Sequence, residues 1–169
     1  MKKHCLNIDD IDLIIFDFDG VLTDNKVSVD SNGCERVNCS RSDGLGFDVL
    51  RKLNIATYIL STEKNLVVSA RAEKINVPVL QGTKDKAKEL IILTNEKGFD
   101  IARTLYVGND LNDFYAMQLC GYSACPLDSH PKIKDIATFV LNTSGGGGVV
   151  RELLEKILQI DILQILYKK

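Results

Sequence analysis

Apolar and polar positions fall along the chain in blocks of two kinds. From Ile11 to Phe16 the sequence reads IDLIIF, a β-branched and nearly continuous apolar run of the kind shown by a strand covered on both faces. It stops at Asp17. Three later runs repeat the theme of apolar residues followed by small or polar ones: ATYILST (Ala56 to Thr62), VPVLQG (Val77 to Gly82) and TLYVGND (Thr104 to Asp110). Weaker runs follow at YSACP and TFVLN. Between the runs, apolar residues recur at helical spacing over Gly44 to Leu53, Lys64 to Ile75, Asp85 to Gly98 and Leu111 to Leu119. Strand and helix of these lengths in alternation predict parallel pairing through right-handed crossovers, an α/β, doubly wound, Rossmann-like parallel sheet. Such sheets bind ligands beyond the carboxyl ends of their strands, where Asp17, Ser61, Asn109 and Asp110 fall.

Two segments depart from this alternation. KVSVDSNGCERV, Lys26 to Val37, alternates apolar and polar around Asn32-Gly33 and predicts a hairpin flap spanning about 24–40. The tail, about 148–169, is apolar on too many sides for one face of an exposed helix from Val149 to Leu166. Its charges at Glu152, Glu155, Lys156 and Asp161 exclude a membrane span. Burial against another subunit is the economical reading, with packing against the chain's own sheet as the alternative. Gly145 to Gly148, just before it, permit close backbone approach or present N–H groups to an anion, with a flexible linker as the plain alternative.

A length of 169 residues supports one core, so a single domain over 1–169 is expected. With 45% apolar residues, 26% charged and a net charge of -2, there is no electrostatic basis for a nucleic-acid or membrane partner. The five cysteines are scattered without CxxC spacing, and MKKHCLNIDD has no apolar stretch before a cleavage site; both point to a reducing, cytoplasmic setting. His4 and His130 are far apart, which sets aside most histidine metal sites and Ser/Cys-His catalysis. Chemistry then falls to carboxylates, lysine and hydroxyls.

Asp17 and Asp19 stand two apart at a strand end, on one face if the strand period continues, and are followed by Gly20. Close carboxylates repel and are tolerated where a divalent cation or a shared proton offsets the repulsion. One can attack phosphorus while the other handles the proton of the leaving oxygen. FDFDGVLTD resembles the first motif of the haloacid dehalogenase superfamily of phosphohydrolases. Ser61 in YILS, Lys86 in GTKDK and GNDLND (Gly108 to Asp113) resemble the other three, in the same order and strand context. The resemblance implies Asp17 as nucleophile, Asp19 as acid and base, Ser61 and Lys86 as phosphate contacts, and Mg2+ held among Asp17, Asp19, Asn109, Asp110 and Asp113. A helix cap for Ser61 and a solvated lysine for Lys86 are the plain alternatives. Asn109 departs from the family, which has an aspartate there; its neutral oxygen is a weaker magnesium ligand, and Asp110 and Asp113 lie close enough to share the role.

Only about twenty residues separate Thr23 from Asp43, too few for the cap domain that members of this superfamily insert, so the chain is predicted to be capless. With its hairpin, Asp43-Gly44-Leu45-Gly46 and the terminal GGGGVVRE (Gly145 to Glu152), it resembles the phosphatases of 3-deoxy-octulosonate 8-phosphate and of nonulosonate 9-phosphates. That resemblance implies a sugar-acid phosphate substrate, a place in bacterial surface-sugar biosynthesis, and a homotetramer whose flaps and tails close neighbouring sites. It also implies substrate contacts from Thr23, Asp43, Gly44, Thr62 and Arg151. Ser61 to Lys64 and Ala70 to Lys74 look more like the nonulosonate group, with Glu63, Arg71 and Lys74 at its contact positions. Arg and Lys suit a sugar carboxylate, although an ordinary charged helix face reads the same way. Two rival classes remain. A phosphate-receiving signalling module carries its aspartate at the third strand end, where VPVLQG has none. A non-catalytic assembly domain, related to the one fused behind acylneuraminate cytidylyltransferases, would fit Asn109 and the apolar tail. Phosphate release from small substrates sets a phosphatase apart from the first rival, and magnesium-dependent turnover from the second.

Overall fold

The computed structural model describes residues 5–168, so Met1 to His4 and Lys169 of the expected single unit lie outside the described residues. In chain order the first half comprises β1 (Leu13–Phe16), β2 (Ser28–Val29), β3 (Glu35–Arg36), α1 (Arg41–Lys52), β4 (Ala56–Leu60), α2 (Leu66–Ile75) and β5 (Val79–Leu80). The second half comprises α3 (Lys86–Lys97), β6 (Thr104–Val107), α4 (Phe114–Leu119), β7 (Tyr122–Cys125), α5 (Pro131–Ile136), β8 (Phe139–Val140), α6 (Val149–Glu152) and α7 (Ile162–Tyr167).

Six strands pair in parallel in the order β5-β4-β1-β6-β7-β8. Leu13 of β1 stands opposite Ala56 and Thr104, and Phe16 opposite Ile59 and Val107, so the ends of β1, β4 and β6 lie level. The side-chain period of two sorts β1 between two cores. Ile14 and Phe16 join Phe47, Leu50, Val68 and Val150 on the face covered by α1, α2 and α6. Leu13 and Ile15 join Leu90, Tyr106, Met117 and Ile133 on the face covered by α3, α4 and α5. All four β1 residues are buried, which accounts for an apolar run without alternation.

Several boundaries differ from the sequence reading, each for a local reason. α1 begins at Arg41 rather than Gly44 because Ser40 caps it, accepting from the Ser42 N–H at 3.2 Å. Gly46 hides the helical period, yet a Cβ there would sit 2.7 Å from Val150 Cγ1, so glycine is what lets α6 lie against α1. The run at Val77 to Gly82 yields only the two-residue edge strand β5. Leu111 to Asp113 form a 3₁₀ turn closed by a capping box between Asp110 and Asp113, and α4 starts only at Phe114. The hairpin around Gly33 is short, and an antiparallel bridge from Thr23 to Cys39 closes its base.

The tail breaks into α6, a π-turn over Leu153–Ile157 and α7, with Gln159 at φ 52°. Val149, Val150, Leu153, Leu154, Leu158 and Ile162 are buried in the chain's own core, so these residues of the tail are covered by the chain's own sheet and helices and not by another subunit as expected. Leu163 and Tyr167 face outward. Lys52 Nζ donates to the carbonyls of Ile165 and Leu166 at 3.3 and 3.0 Å, tying α7 to the end of α1.

The glycine run is a contact surface rather than a linker. Gly146 N–H donates to the Val21 carbonyl at 3.0 Å, and Gly145 N–H to Asp128 Oδ1 at 2.9 Å. A Cβ on Gly145 would lie 2.2 Å from the Gly20 carbonyl, and Gly146 adopts φ +70° with its would-be Cβ 2.6 Å from the Asp24 nitrogen. Asp43 of α1 fixes the far side, its Oδ1 accepting from the N–H groups of Val150 and Arg151 at 3.0 and 3.3 Å.

Burial raises the Asp43 pKa to about 6 against an ordinary 3.8, with the two backbone donors and Arg71 opposing. The folded value lies above the unfolded one, so this group's contribution to stability is complete below the unfolded value and is lost as pH rises through about 6. Relative to Asp43→Asn, whose amide carbonyl still accepts from α6, the native chain should therefore lose about 2–3 kcal/mol between pH 4 and pH 7.5. Thermal unfolding of both proteins across that range checks it; a constant difference would show that Asp43 does not titrate there.

Candidate active site

Asp17 follows directly on β1, and its backbone N–H still donates to the Val107 carbonyl at 2.9 Å, so the sheet itself sets its position. The residue is 4% exposed, and Oδ1 accepts from the Phe18 N–H and from Lys86 Nζ, both at 2.7 Å. The next residues wind back on themselves: the Phe18 carbonyl accepts from Leu22 and Thr23 at 2.9 and 3.1 Å, with Gly20 at φ +82°. Thr23 Oγ1 accepts from the N–H groups of Gly20 and Asn25 at 3.2 and 3.3 Å, so Thr23 fastens this loop from beneath. Asp19 is half-buried at the cavity wall.

Lys86 is the first residue of α3, capped by Asp85, which accepts from the Lys88 N–H at 3.1 Å. Its ammonium is buried and lies 2.7 Å from Asp17 Oδ1 and 2.7 Å from Asp113 Oδ1. Asp113 is wholly occupied. Oδ1 also accepts from the Tyr106 hydroxyl at 2.9 Å, while Oδ2 accepts from the N–H groups of Asn109 and Asp110 at 2.9 and 3.3 Å. The carboxylate thus shapes the loop after β6 from below.

These contacts set the electrostatics. Burial, then the charge of Asp113, pushes the Asp17 pKa well above the usual carboxylate range, with Lys86 pulling it down. Burial opposes the charge of Lys86, but Asp17 and Asp113 together hold its pKa above the ordinary value. Two carboxylates and one ammonium leave the buried cluster short of positive charge, and a further cation would hold Asp17 ionised. Burial and then Glu63 raise Asp19, which suits a group that must carry a proton. Burial foremost keeps the Tyr106 phenol protonated.

Among the described residues no group of three or more His, Cys, Asp or Glu side chains is poised around a metal. The donor set here is a mixed one. Asn109 Oδ1 lies 3.1 Å from Asp17 Oδ2 and 2.9 Å from the Asp19 carbonyl, so three oxygens converge with no proton between them. Turning the amide over would let its nitrogen donate to both, which is the arrangement a cation-free site favours. With oxygen inward the spacing matches neighbouring ligands of a small octahedral cation, which at ~2.0–2.1 Å from the ion stand about 2.9 Å apart. The residues present therefore fit a divalent ion held by Asp17, the Asp19 carbonyl and Asn109.

A cavity of about 320 Å³ opens above this set, lined by Asp17, Asp19, Asn25, Thr62, Asn109, Asp110, Leu111 and Asn112. Ser61, 1% exposed just past the end of β4 and one residue beyond the level of Asp17, accepts the Glu63 N–H at 3.1 Å. Glu63 Oε1 accepts from the N–H groups of Lys64 and Asn65 at 2.6 and 2.8 Å. Other expected site residues are not brought here. Gly44, Arg71 and Lys74 line a separate cavity of about 420 Å³ beside α1 and α2, where Arg71 donates to the Ser40 carbonyl at 2.9 Å. Arg151 lies in a third cavity and pairs with Glu155 at 2.8 Å, and Asp43 and Thr23 are engaged by backbone as described. Asp113 is beneath the cavity, not in its lining.

The sequence reading missed Asn25, Leu111 and Asn112 of the lining, and Tyr106. Asn25, at φ 61°, follows the first motif directly, and Asn112 sits inside GNDLND within 3.5 Å of Thr62 Oγ1. Their types carry no chemical signal, and only adjacency to the motifs could have flagged them.

The model of the haloacid dehalogenase-like hydrolases matches residues 46–153. The chain is 31% identical over 153 residues to the 3-deoxy-D-manno-octulosonate 8-phosphate phosphatase of Haemophilus influenzae, covering 90% of this chain and 85% of that one. Its structure resembles a HAD family hydrolase from Streptomyces avermitilis, with a TM-score of 0.90 and 40% identity over 94% of this chain and 91% of the other. It also resembles the 3-deoxy-D-manno-octulosonate 8-phosphate phosphatase of Moraxella catarrhalis in complex with magnesium, phosphate and KDO. There the TM-score is 0.83, with 28% identity over 92% of this chain and 87% of the other.

The oxygen triad generates a metal prediction. Asn109→Asp adds a charge at ligand distance and should tighten Mg2+ binding on the order of tenfold, after solvent screening. Asp110→Asn should change it little, because Asp110 Oδ1 is engaged with the Leu111 N–H at 2.7 Å. Calorimetric Mg2+ titration of the three proteins decides between them, and a large loss in Asp110→Asn alone would move the ligand one residue along.

Proposed function

The chain belongs to the haloacid dehalogenase-like hydrolases and is a phosphoric monoester hydrolase, and from that membership we propose that it takes phosphate from a 2-keto-3-deoxy sugar acid, with Asp17 as nucleophile and Mg2+ as cofactor. The substrate class is that of 3-deoxy-octulosonate 8-phosphate or a nonulosonate 9-phosphate. The observation that carries the reading is the Lys86 ammonium held 2.7 Å from Asp17 beside three converging oxygens. That arrangement offers a nucleophile and positive charge at the same point, which is what phosphoryl transfer asks of a protein.

In the first step a carboxylate oxygen of Asp17 bonds to phosphorus, the bond from phosphorus to the sugar oxygen breaks, and Asp19 gives its proton to that oxygen. In the second step water attacks phosphorus, Asp19 takes the water's proton, and the bond to Asp17 breaks, releasing orthophosphate and restoring both carboxyl groups. Lys86 neutralises charge on the phosphoryl oxygens throughout, and Ser61 and Thr62 donate hydrogen bonds from the β4 side. Mg2+, when bound, draws electron density from the phosphoryl group and holds Asp17 ionised. The Arg71 and Lys74 cavity lies apart from Asp17 within one chain, and recognition of the sugar carboxylate by these residues belongs to an assembled homotetramer. Exposed Val27 and Val29 on the hairpin support that assembly. Scattered cysteines without CxxC spacing support a cytoplasmic setting, and among the described residues no helix is long and apolar enough to cross a membrane.

Asp17→Asn is expected to abolish turnover while leaving the melting temperature nearly unchanged, since the amide is isosteric but cannot act as nucleophile. Asp19→Asn should be as severe on a sugar phosphate and milder on para-nitrophenyl phosphate, whose leaving group needs no proton. Phosphate release from 3-deoxy-octulosonate 8-phosphate and nonulosonate 9-phosphates, compared as kcat/KM with and without Mg2+, tests the substrate class. Residual turnover above a few per cent in Asp17→Asn would overturn the nucleophile, and no turnover of either sugar phosphate by the native protein would overturn the reading.

A further inference from the structure

We infer that Tyr106 is a positioning residue for phosphoryl transfer, its hydroxyl holding Asp113 so that the Lys86 ammonium stays shared with Asp17. The inference rests on the phosphatase reading above.

Tyr106 is the third residue of β6, and strand parity turns it toward the face of α3 and α4 while Leu105 and Val107 turn the other way. It is fully buried, is absent from the cavity lining, and donates to Asp113 Oδ1 at 2.9 Å. The same oxygen takes Lys86 at 2.7 Å, and the ammonium stands equally far, 2.7 Å, from Asp17 Oδ1. Asp113 Oδ2 is committed to two backbone N–H groups and cannot turn to take up slack. The hydroxyl is therefore the one adjustable donor that competes with Lys86 for the charge of Asp113.

Removing that hydroxyl leaves Oδ1 with Lys86 alone. The lone pair it vacates lies in a dry pocket, so Asp113 draws the ammonium closer and away from Asp17. Lys86 must meet the charge that grows on the phosphoryl oxygens during transfer, so the loss falls on the transition state. The cavity wall and the three converging oxygens are untouched by the change. A core tyrosine that had merely found a convenient acceptor would instead affect stability and leave the rate alone.

The test is Tyr106→Phe, which keeps the ring and deletes one oxygen. With 3-deoxy-octulosonate 8-phosphate and para-nitrophenyl phosphate at saturating Mg2+, and below both melting temperatures, kcat should fall about tenfold with KM within about twofold. In an Asp113→Asn background, followed by single turnover, Tyr106→Phe should have no further effect, because the charge it moderates is gone. A kcat within about twofold of the native protein, a change confined to KM, or a loss that adds in full to that of Asp113→Asn would each overturn the inference alone. A native protein that hydrolyses neither compound would take down the functional reading and this inference with it.

Discussion

A buried ammonium shared between two carboxylates is the constraint on which the site depends. An unpaired ammonium at the depth of Lys86 costs several kcal/mol, and so does a carboxylate facing it without the ammonium, so the lysine needs at least one of the two carboxylates and each carboxylate needs the lysine. Each comes from a different element: Asp17 from the end of β1, Lys86 from the first turn of α3, Asp113 from the turn after β6. Satisfying the trio fixes the three elements at once. The same Asp113 holds the N–H groups of Asn109 and Asp110, which turns the Asn109 side chain toward Asp17. The convergence of oxygens follows from the ion pair.

The charge in this cluster is left incomplete. Burial, then the charge of Asp113, raises Asp17 above the usual carboxylate range, with the single ammonium of Lys86 opposing. On the proposed reading, a divalent ion beside Asp17 would reverse that, and an arriving phosphate dianion would find a site whose net charge is nearly balanced, so that metal and substrate binding would be coupled through Asp17 without any moving part. Asn109 would temper the coupling, since a neutral ligand would leave the metal with more of its charge for the phosphoryl group and less holding it in place.

Much of this was legible in the sequence, and what was not has a common cause. The buried run Leu13 to Phe16 and its successors give the parallel sheet, and the strand-end positions of Asp17, Ser61 and Asn109 follow from it, because a level register brings strand ends together whatever their separation in sequence. Roles that depend on which way a side chain leaves the backbone were not legible. Asp43 reads as a substrate contact yet binds the start of α6, and Asp113 reads as a metal ligand yet serves Lys86 from beneath. Arg71 and Lys74 sit at motif positions but line a separate cavity beside α1 and α2. Tyr106 reads as one more apolar strand residue, and only its distance from Asp113 distinguishes it. The tail resists prediction because its buried residues follow a π-turn and a positive-φ break rather than one helical period.

The contact of Gly145 and Gly146 with Gly20 and Val21 joins the earliest part of the site to a segment made more than a hundred residues later. During synthesis the aspartate loop therefore exists for on the order of ten seconds before its backing arrives. A growing chain carries the aspartate loop without that backing, and a chain cut short before the glycines lacks the contact altogether, so the loop takes its final shape only after most of the sheet has been made.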